Sequence, residues 1–219
     1  MRGMTDEPDR LLRHREPQQA RSAATLARVL QAAEEIASLS GLEEMTISGV
    51  AERAGVSVGT IYRRFEDKEQ LITALTERML ERRETYVAEQ LHAAEPSLEG
   101  VMDAYAHALL QSFADSNNLF PELLRVRGAR SLDRGARTIT ELHRLLLEAA
   151  APYADEVRRS DPQAALDTAA RAILGACFHN SVRPDPAGDA AARRRYGDEL
   201  GDMAIAYLHT PDRRRAAHT

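Results

Sequence analysis

Residues 50–71, VAERAGVSVGTIYRRFEDKEQL, carry two short helix-like patterns that are separated by a glycine. Gly55 can take the positive φ angle of a tight turn, and the Ser57 hydroxyl can cap the helix that follows. Ala51 is small at the point where the second helix would cross the first. This spacing predicts a helix-turn-helix hairpin. A small apolar core between the two helices is expected from Val50, Ala54, Val56, Ile61 and Phe65.

The opposite face of the second predicted helix, residues 57–65, carries Val58, Gly59, Thr60, Tyr62 and Arg63. A helix without bulk at its N-terminal end can enter the major groove of DNA. Arg64 and Lys68 flank this face and can neutralise phosphates. The start of the next helix at Asp67 can also offer backbone N–H groups to a phosphate oxygen. A hairpin that serves only as a packing unit is the alternative.

Helical periodicity continues through almost the whole chain, and no clear run of alternating β-branched residues is present. The sequence therefore predicts an all-α fold, with an N-terminal three-helix helix-turn-helix domain and a C-terminal helical bundle. The predicted division is a flexible N-terminal arm at 1–21, the helix-turn-helix domain at 22–68, the bundle at 69–210 and a flexible tail at 211–219.

Capping residues and helix breakers set the predicted helix bounds. Gly41 is expected to stop the first helix, Asp67 with Gln70 to open the fourth, and Pro152 to kink a long later one. The predicted helices cover about 23–39, 47–54, 57–65, 67–96, 97–116, 117–131, 133–159, 161–182 and 190–208.

The bulk composition is that of a folded globular protein, because 43% of the 219 residues are hydrophobic and 29% are charged. The net charge of -5 argues against a basic coat, although a local basic patch can still bind nucleic acid. The arginines of the N-terminal arm either lie in a minor groove or belong to a disordered tail. No apolar run is long enough to cross a bilayer and no signal-peptide core is visible, so a cytoplasmic protein is expected.

Catalytic and metal-binding signatures are missing from the sequence. No nucleophile, base and orienting residue come together and no glycine-rich phosphate loop is present, so we predict no catalytic residue and no enzyme. Cys177 lies in an apolar run and is either a buried hydrophobe or a reactive thiol. His107, His143 and His179 lack partners at i, i+4, so neither a metal nor a cofactor is predicted.

The string AERAGVSVGTIYRRF followed by DKEQL, with VLQAAEEIASLSGLEEM before it, closely resembles the DNA-binding domain of the tetracycline-repressor (TetR) family of bacterial regulators. The match covers about residues 25–74. Beyond it the resemblance is one of architecture: a long connecting helix, a bundle and two C-terminal helices that pair with a second subunit. It implies a regulator that binds double-stranded DNA at a palindromic operator.

The resemblance also implies roles at the matching positions. Val58 offers a methyl surface suited to thymine, and Gly59 lets the helix approach the bases closely. Arg63 makes either a bidentate guanine contact or a phosphate contact. The backbone-contacting positions are Thr46, Ser57, Thr60, Tyr62, Arg64 and Lys68. The positions that can face base edges are Ser48, Val58, Gly59 and Arg63.

A homodimer through the two C-terminal helices and a small-molecule effector pocket in the bundle also follow from the resemblance. The apolar faces of residues 161–182 and 196–208 could instead complete the chain's own core. Each pocket candidate is either a core residue or a ligand contact, and their aromatic and methionine content favours an apolar or aromatic ligand. The candidates are Met79, Met102, Tyr105, Leu109, Phe113, Phe120, Leu123, Leu124, His143, Leu147 and Phe178.

The function predicted from these features is a TetR-like transcriptional regulator, a repressor that a small, largely apolar ligand releases from its operator. One alternative is a regulator that is controlled by a protein partner or is constitutive. Another is a small-molecule carrier or an enzyme that uses the C-terminal bundle.

Overall fold

A computed structural model describes residues 7–115, 129–182 and 189–212, with the side chains of residues 7–18 and 129–132 left out. Every regular element within these residues is helical and none is a strand, which confirms the all-α fold class. The chain forms two compact units, Met1–Leu75 and Thr76–Thr219. The division between the units falls inside a long helix, and the predicted functional boundaries at residues 21, 68 and 210 stay predictions.

The first unit contains helix α1 (Glu7–Glu44), helix α2 (Ile47–Ala54) and helix α3 (Val58–Tyr62). Helix α1 begins well before the predicted residue 23. Gly41 has a φ of 83° and a ψ of 164°, which lie outside the helical range, so the first helical path stops there as predicted. A short helical segment follows Gly41 and ends at Glu44.

The capping residues of the hairpin lie where the sequence predicts them. The Thr46 hydroxyl accepts a hydrogen bond from the Gly49 N–H at 3.1 Å, and the Ser57 hydroxyl accepts one from the Thr60 N–H at 3.2 Å. Gly55 ends α2 with a φ of 65° and a ψ of 41°, a left-handed conformation that favours glycine. These local signals fix the turn between α2 and α3.

The predicted apolar core of the hairpin is confirmed. Ile61 and Val50 are fully buried, and Phe65 is 8% exposed. Helix α3 ends at Tyr62, earlier than predicted, but the Phe65 N–H still donates to the Ile61 carbonyl at 3.0 Å. Phe65 therefore reaches the core from the turn that follows α3. The remaining members of the core are Ala51 and Ala54, which are buried, and Val56, which is half-buried.

The second unit is built around α4 (Lys68–His92), α5 (Leu98–Ala114), α6 (Ala129–Ala150), a 3-10 helix (Ala151–Glu156), α7 (Pro162–Val182) and α8 (Ala190–Leu208), with α4 starting in the first unit. Helix α4 ends at His92 instead of residue 96. The chain does not kink within a long helix at Pro152, because α6 ends first and the proline enters the 3-10 helix. Most of the predicted helix at 117–131 lies outside the described residues.

Side-chain caps open the helices of the second unit as predicted. Ser97 accepts from the Gly100 N–H at 3.0 Å, and Asp161 accepts from the Ala164 N–H at 3.0 Å. The start of α4 differs in one detail. Asp67 accepts from the Gln70 N–H at 2.8 Å, but the Gln70 amide oxygen accepts from the N–H of residue 66 instead of returning to Asp67.

Helices α5 and α8 lie close together. A Cβ atom added to Gly197 would lie 2.5 Å from the His107 ring, so the ring would have to move to make room for it. Beside this contact His107 Nε2 and Asp198 Oδ1 are 2.9 Å apart. The small-residue face of α7 is also used within the chain, which answers part of the question left open by the sequence. The buried residues of α7 are Ala165, Leu166, Ala169, Ala170, Ile173 and Cys177.

None of the helices in the described ranges combines the length and the hydrophobicity that a membrane crossing needs.

Candidate nucleic-acid interface

Helix α3 presents one apolar face to the core and a different face to solvent. Ile61 has no exposed surface, whereas Tyr62 is 53% exposed and Val58 is 38% exposed. Ser57, Gly59 and Arg63 are also exposed, and Thr60 is half-buried. Contiguous apolar surface that is rimmed by polar side chains often marks an interaction site. The exposed face is therefore available for a partner.

Polar side chains on this face are linked to one another. The Ser57 and Thr60 hydroxyl oxygens are 2.8 Å apart, and Arg63 Nη2 donates to the Thr60 oxygen at 3.0 Å. These bonds hold the Arg63 guanidinium along the exposed side of α3. A guanidinium in this place can turn to a base edge or to a phosphate, so both readings of Arg63 stay open.

Arg64 and Lys68 also contact helix α1. Arg64 Nη2 donates to the Ser22 carbonyl at 2.8 Å and also contacts the Ser22 hydroxyl. Lys68 Nζ donates to the Glu43 carbonyl at 2.9 Å, at the end of α1 where helix carbonyls lack helical partners. Both side chains therefore help to hold the first unit together. The sequence could not indicate this role, because the partners lie 42 and 25 residues away.

The start of α2 supplies the two remaining predicted contacts. Thr46 and Ser48 are both exposed, and Thr46 is fixed by its capping bond. An ion pair beside them joins α2 to α1, with Arg53 Nε 2.6 Å from Glu35 Oε2. The hydrogen bond from Arg53 lowers the pKa of Glu35. The structure thus brings the predicted positions of both helices onto the surface of the first unit.

Five of the eight predicted effector-pocket residues that the structure describes are buried in the core. Met102, Tyr105 and Leu109 have no exposed surface, and Phe113 is 7% exposed. Met79 is buried, Leu147 is half-buried, the side chain of His143 is 16% exposed and Phe178 is 39% exposed. Phe120, Leu123 and Leu124 lie outside the described residues.

Several polar groups lie inside this core, and the sequence predicted Cys177, His143 and Tyr105 near it but not Arg83. Arg83 is 5% exposed, and its guanidinium carbon lies 4.1 Å from the centre of the Phe113 ring. Burial lowers the pKa of Arg83 to about 10. Within the described part of the chain, the Tyr105 hydroxyl and His143 Nε2 are buried without a hydrogen-bond partner. The sequence does not predict the burial of Arg83, because this residue lies in a run of charged residues on a helix, and such side chains are usually solvated.

Cys177 is fully buried, and burial raises the pKa of its thiol to about 12. A thiol of this kind is protonated at neutral pH and reacts poorly. The structure therefore favours the reading of Cys177 as a buried hydrophobe.

A cleft of about 370 Å³ lies at one end of the second unit, between the end of α4, the start of α5, the end of α6 and the 3-10 helix. None of the predicted pocket residues within the described ranges lines it. The lining is formed by Ala88, Leu91, His92, Ala94, Glu95, Pro96, Val101, Leu145, Glu148, Ala149 and Tyr153.

One group of side chains among the described residues could hold a cation. Glu99, Glu156 and His209 bring one possible donor atom each to within 4.8 Å of one another. They come from the start of α5, the end of the 3-10 helix and the residue after α8, so no sequence spacing could indicate the group. The two carboxylates are exposed, and carboxylates with an imidazole can ligate a divalent metal.

The capped hairpin, its left-handed glycine and the exposed face of α3 define the first unit as a helix-turn-helix domain. Residues 29–75 match the family model described as bacterial regulatory proteins, tetR family. This part of the chain is therefore similar to the DNA-binding domain of TetR-family regulators.

A relative from Bacillus subtilis (strain 168), the uncharacterized HTH-type transcriptional regulator YvdT, is 37% identical over 68 residues. That match covers 31% of this chain and 35% of the relative, so the chain spans about a third of the length of the relative it matches.

Solved structures share the fold over most of the chain. The superantigen PfiT has 17% identity and a TM-score of 0.65, over 84% of this chain and 95% of that one. A TetR-family transcriptional regulator from Mesorhizobium loti MAFF303099 has 16% identity and a TM-score of 0.61, over 85% and 97%. At such identities the similarity shows the fold alone, and the different names of the two proteins illustrate this limit.

Proposed function

We propose that the chain is a cytoplasmic DNA-binding transcriptional regulator that recognises its operator with α3. The observation that supports this most is the exposure of Val58 and Tyr62 on a capped helix whose Ile61 is completely buried. A short helix that projects a small apolar group, hydroxyls and a guanidinium fits the width of a major groove. The match of residues 29–75 to the family model of TetR-type regulators supports the same function.

The regulator acts as a homodimer, because each chain carries one recognition helix and a palindromic operator has two half-sites. Helices α7 and α8 supply the interface. In support, Val182 on α7 is 50% exposed and Met203 on α8 is 48% exposed, although both helices also bury a face within the chain. A second copy that covers these side chains would remove their apolar surface from water.

The dimer works as a repressor that a small ligand releases from DNA. The ligand binds more tightly to a state in which the two recognition helices no longer match major grooves ~34–36 Å apart. The alternative is a regulator whose DNA binding is controlled by a protein partner or is constitutive. A screen for ligand-induced thermal stabilisation, followed by DNA binding with each stabilising compound, separates the two mechanisms.

Fluorescence anisotropy tests the DNA-binding function, with a palindromic DNA from the chain's own upstream region and a scrambled duplex as the control. We expect specific binding that weakens steeply as salt rises, since phosphate contacts release counterions. Tyr62→Ala should weaken binding by ~10-fold or more without lowering the melting temperature, because its ring is exposed. Equal affinity for both duplexes would sink the proposal. Lys68→Ala is a poorer test, since Lys68 also bonds to α1.

A further inference from the structure

The cleft at the end of the second unit is of molecular size and is lined by both apolar and polar groups. Its volume of about 370 Å³ is large enough for a small organic molecule. Leu91 and Val101 form a buried floor, with 7% and 3% of their surface exposed, and Leu145 adds a half-buried wall. An apolar body placed here would be removed from water on several sides, which is the main driving force for binding small molecules.

Small side chains create the space. Ala88 on α4, Ala94 just after it and Ala149 on α6 all line the cleft, and all are half-buried. A larger residue at any of these positions would project into the cleft. The opening is therefore sensitive to single substitutions on different helices, which makes its occupancy testable.

The charge of the lining is acidic. Glu95 and Glu148 contribute carboxylates, and both residues are exposed. Arg144 lies 2.5 Å from one Glu148 oxygen and neutralises part of its charge. His92 also lines the cleft. An anionic ligand would therefore meet like charge, whereas a cation would meet opposite charge.

The position of Glu95 is fixed by its backbone. The Ser97 N–H donates to the Glu95 carbonyl at 2.8 Å. Gly100 allows this tight turn to pack on α5, because a Cβ there would lie 2.5 Å from the same carbonyl oxygen. Tyr153 is half-buried in the lining, and an aromatic ring of this kind attracts cations through its π face.

We propose that this cleft binds small hydrophobic organic cations, whose apolar body rests on Leu91 and Val101 and whose ammonium group lies beside Glu95. This inference goes beyond the proposed regulatory function, because it gives a separate cleft its own class of ligand. It also differs in location from the predicted pocket, whose described members are mostly core residues.

Isothermal titration calorimetry with two probes of similar shape and opposite charge tests the inference. The full-length protein is titrated with 2-naphthylmethylammonium and, separately, with 2-naphthoate, in the absence of DNA. We expect saturable binding of the cation and at least tenfold weaker binding of the anion. Glu95→Gln should weaken cation binding about fivefold, the size expected for an exposed charge pair. The matched control Glu89→Gln changes an exposed carboxylate of α4 outside the lining and should leave the affinity unchanged.

Filling the cleft gives a second measurement. Ala149→Phe and Ala88→Phe act from different helices and should each abolish cation binding, whereas Ala136→Phe, at an exposed site of α6 outside the lining, should not. Circular dichroism shows whether each filling variant is folded. If one of them fails to fold, the inference is tested by the other filling variant and, separately, by Glu95→Gln. Equal binding of both probes, no saturable cation binding, or undiminished binding in the folded filling variants would overturn the inference. Operator binding without cation binding contradicts this inference alone, and the reverse result contradicts only the proposed function.

Discussion

Gly59 lies in the first turn of α3, and a Cβ added there would meet only the Ser57 hydroxyl, at 3.9 Å. Gly59→Ala should therefore fold normally and gain about 0.5–1 kcal/mol of stability, since alanine is the better helix residue. Operator affinity should nevertheless fall, because the new methyl group occupies the face that approaches the bases. Chemical denaturation and fluorescence anisotropy measure the two effects.

Gly135→Ala is the matched control for this substitution. Gly135 is also helical, and an added Cβ there meets no heavy atom within 4 Å. The control should gain similar stability with unchanged DNA affinity. If Gly59→Ala also leaves the affinity unchanged, Gly59 does not lie at the DNA surface.

Tyr105 places a polar hydroxyl group in the core of the second unit. Its side chain is completely buried, and its hydroxyl has no partner among the described residues. Burial of the ring raises the pKa of this hydroxyl. Tyr105→Phe should leave the free energy of unfolding unchanged or raise it by ~1 kcal/mol, because an unsatisfied buried hydroxyl is costly. Urea denaturation measures this change, and a loss of more than ~1 kcal/mol would reveal a hydrogen bond of the hydroxyl.

Between elements, a partly buried ion pair joins α4 to α6. Arg134 Nη1 lies 2.6 Å from Glu84 Oε1, and the Thr138 hydroxyl donates to the same oxygen at 2.6 Å. Arg134 and Thr138 are 8% and 3% exposed. Burial alone would raise the pKa of Glu84, but the hydrogen bonds from Arg134 and Thr138 outweigh it, and the pKa is lowered.

The lowered pKa predicts a pH dependence of stability. A carboxyl group whose folded pKa is depressed stabilises the fold above its ordinary value of 4.5, and this contribution is lost as the pH falls through the folded pKa. Glu84→Gln should lower the free energy of unfolding at pH 7 by about 2 kcal/mol, less than for a fully buried pair. It should also reduce the loss of stability between pH 5 and pH 3. Urea denaturation across this range measures both.

Glu89→Gln serves as the control, because Glu89 is an exposed carboxylate on the same helix. It should match the unsubstituted protein at every pH. A Glu84→Gln curve that runs parallel to the unsubstituted curve down to pH 3 would show that Glu84 does not carry the dependence.

For the whole molecule, the proposed homodimer rests on exposed apolar side chains of α7 and α8. Val182→Asp places a charge at a side chain that is 50% exposed in the single chain and would be covered in the dimer. Light scattering should show a shift from dimer to monomer, since an uncompensated buried charge is strongly unfavourable. Operator binding should fall with it.

Ile139→Asp controls for the general effect of a new surface charge, because Ile139 is 47% exposed on α6. It should leave the dimer intact. A dimer that survives Val182→Asp and dissociates with Ile139→Asp would place the interface on α6 instead.

The sequence alone determined the hairpin and the face that it presents. Thr46, Gly55 and Ser57 act on residues within one turn, so their capping and turn roles depend on local spacing that can be read directly. Helical geometry likewise directs Ile61 to the core and the adjacent Tyr62 to the surface. The resemblance of this stretch to the TetR family also predicted which of its side chains would contact DNA.

The tertiary structure decided what distant residues do. Lys68 meets the end of α1, Arg83 lies inside the second unit instead of in solvent, and the described cleft lies apart from the predicted pocket. Each outcome depends on how helices pack across long sequence separations. Local spacing cannot encode it, because the same charged or small residue fits a solvent face and a helix contact equally well.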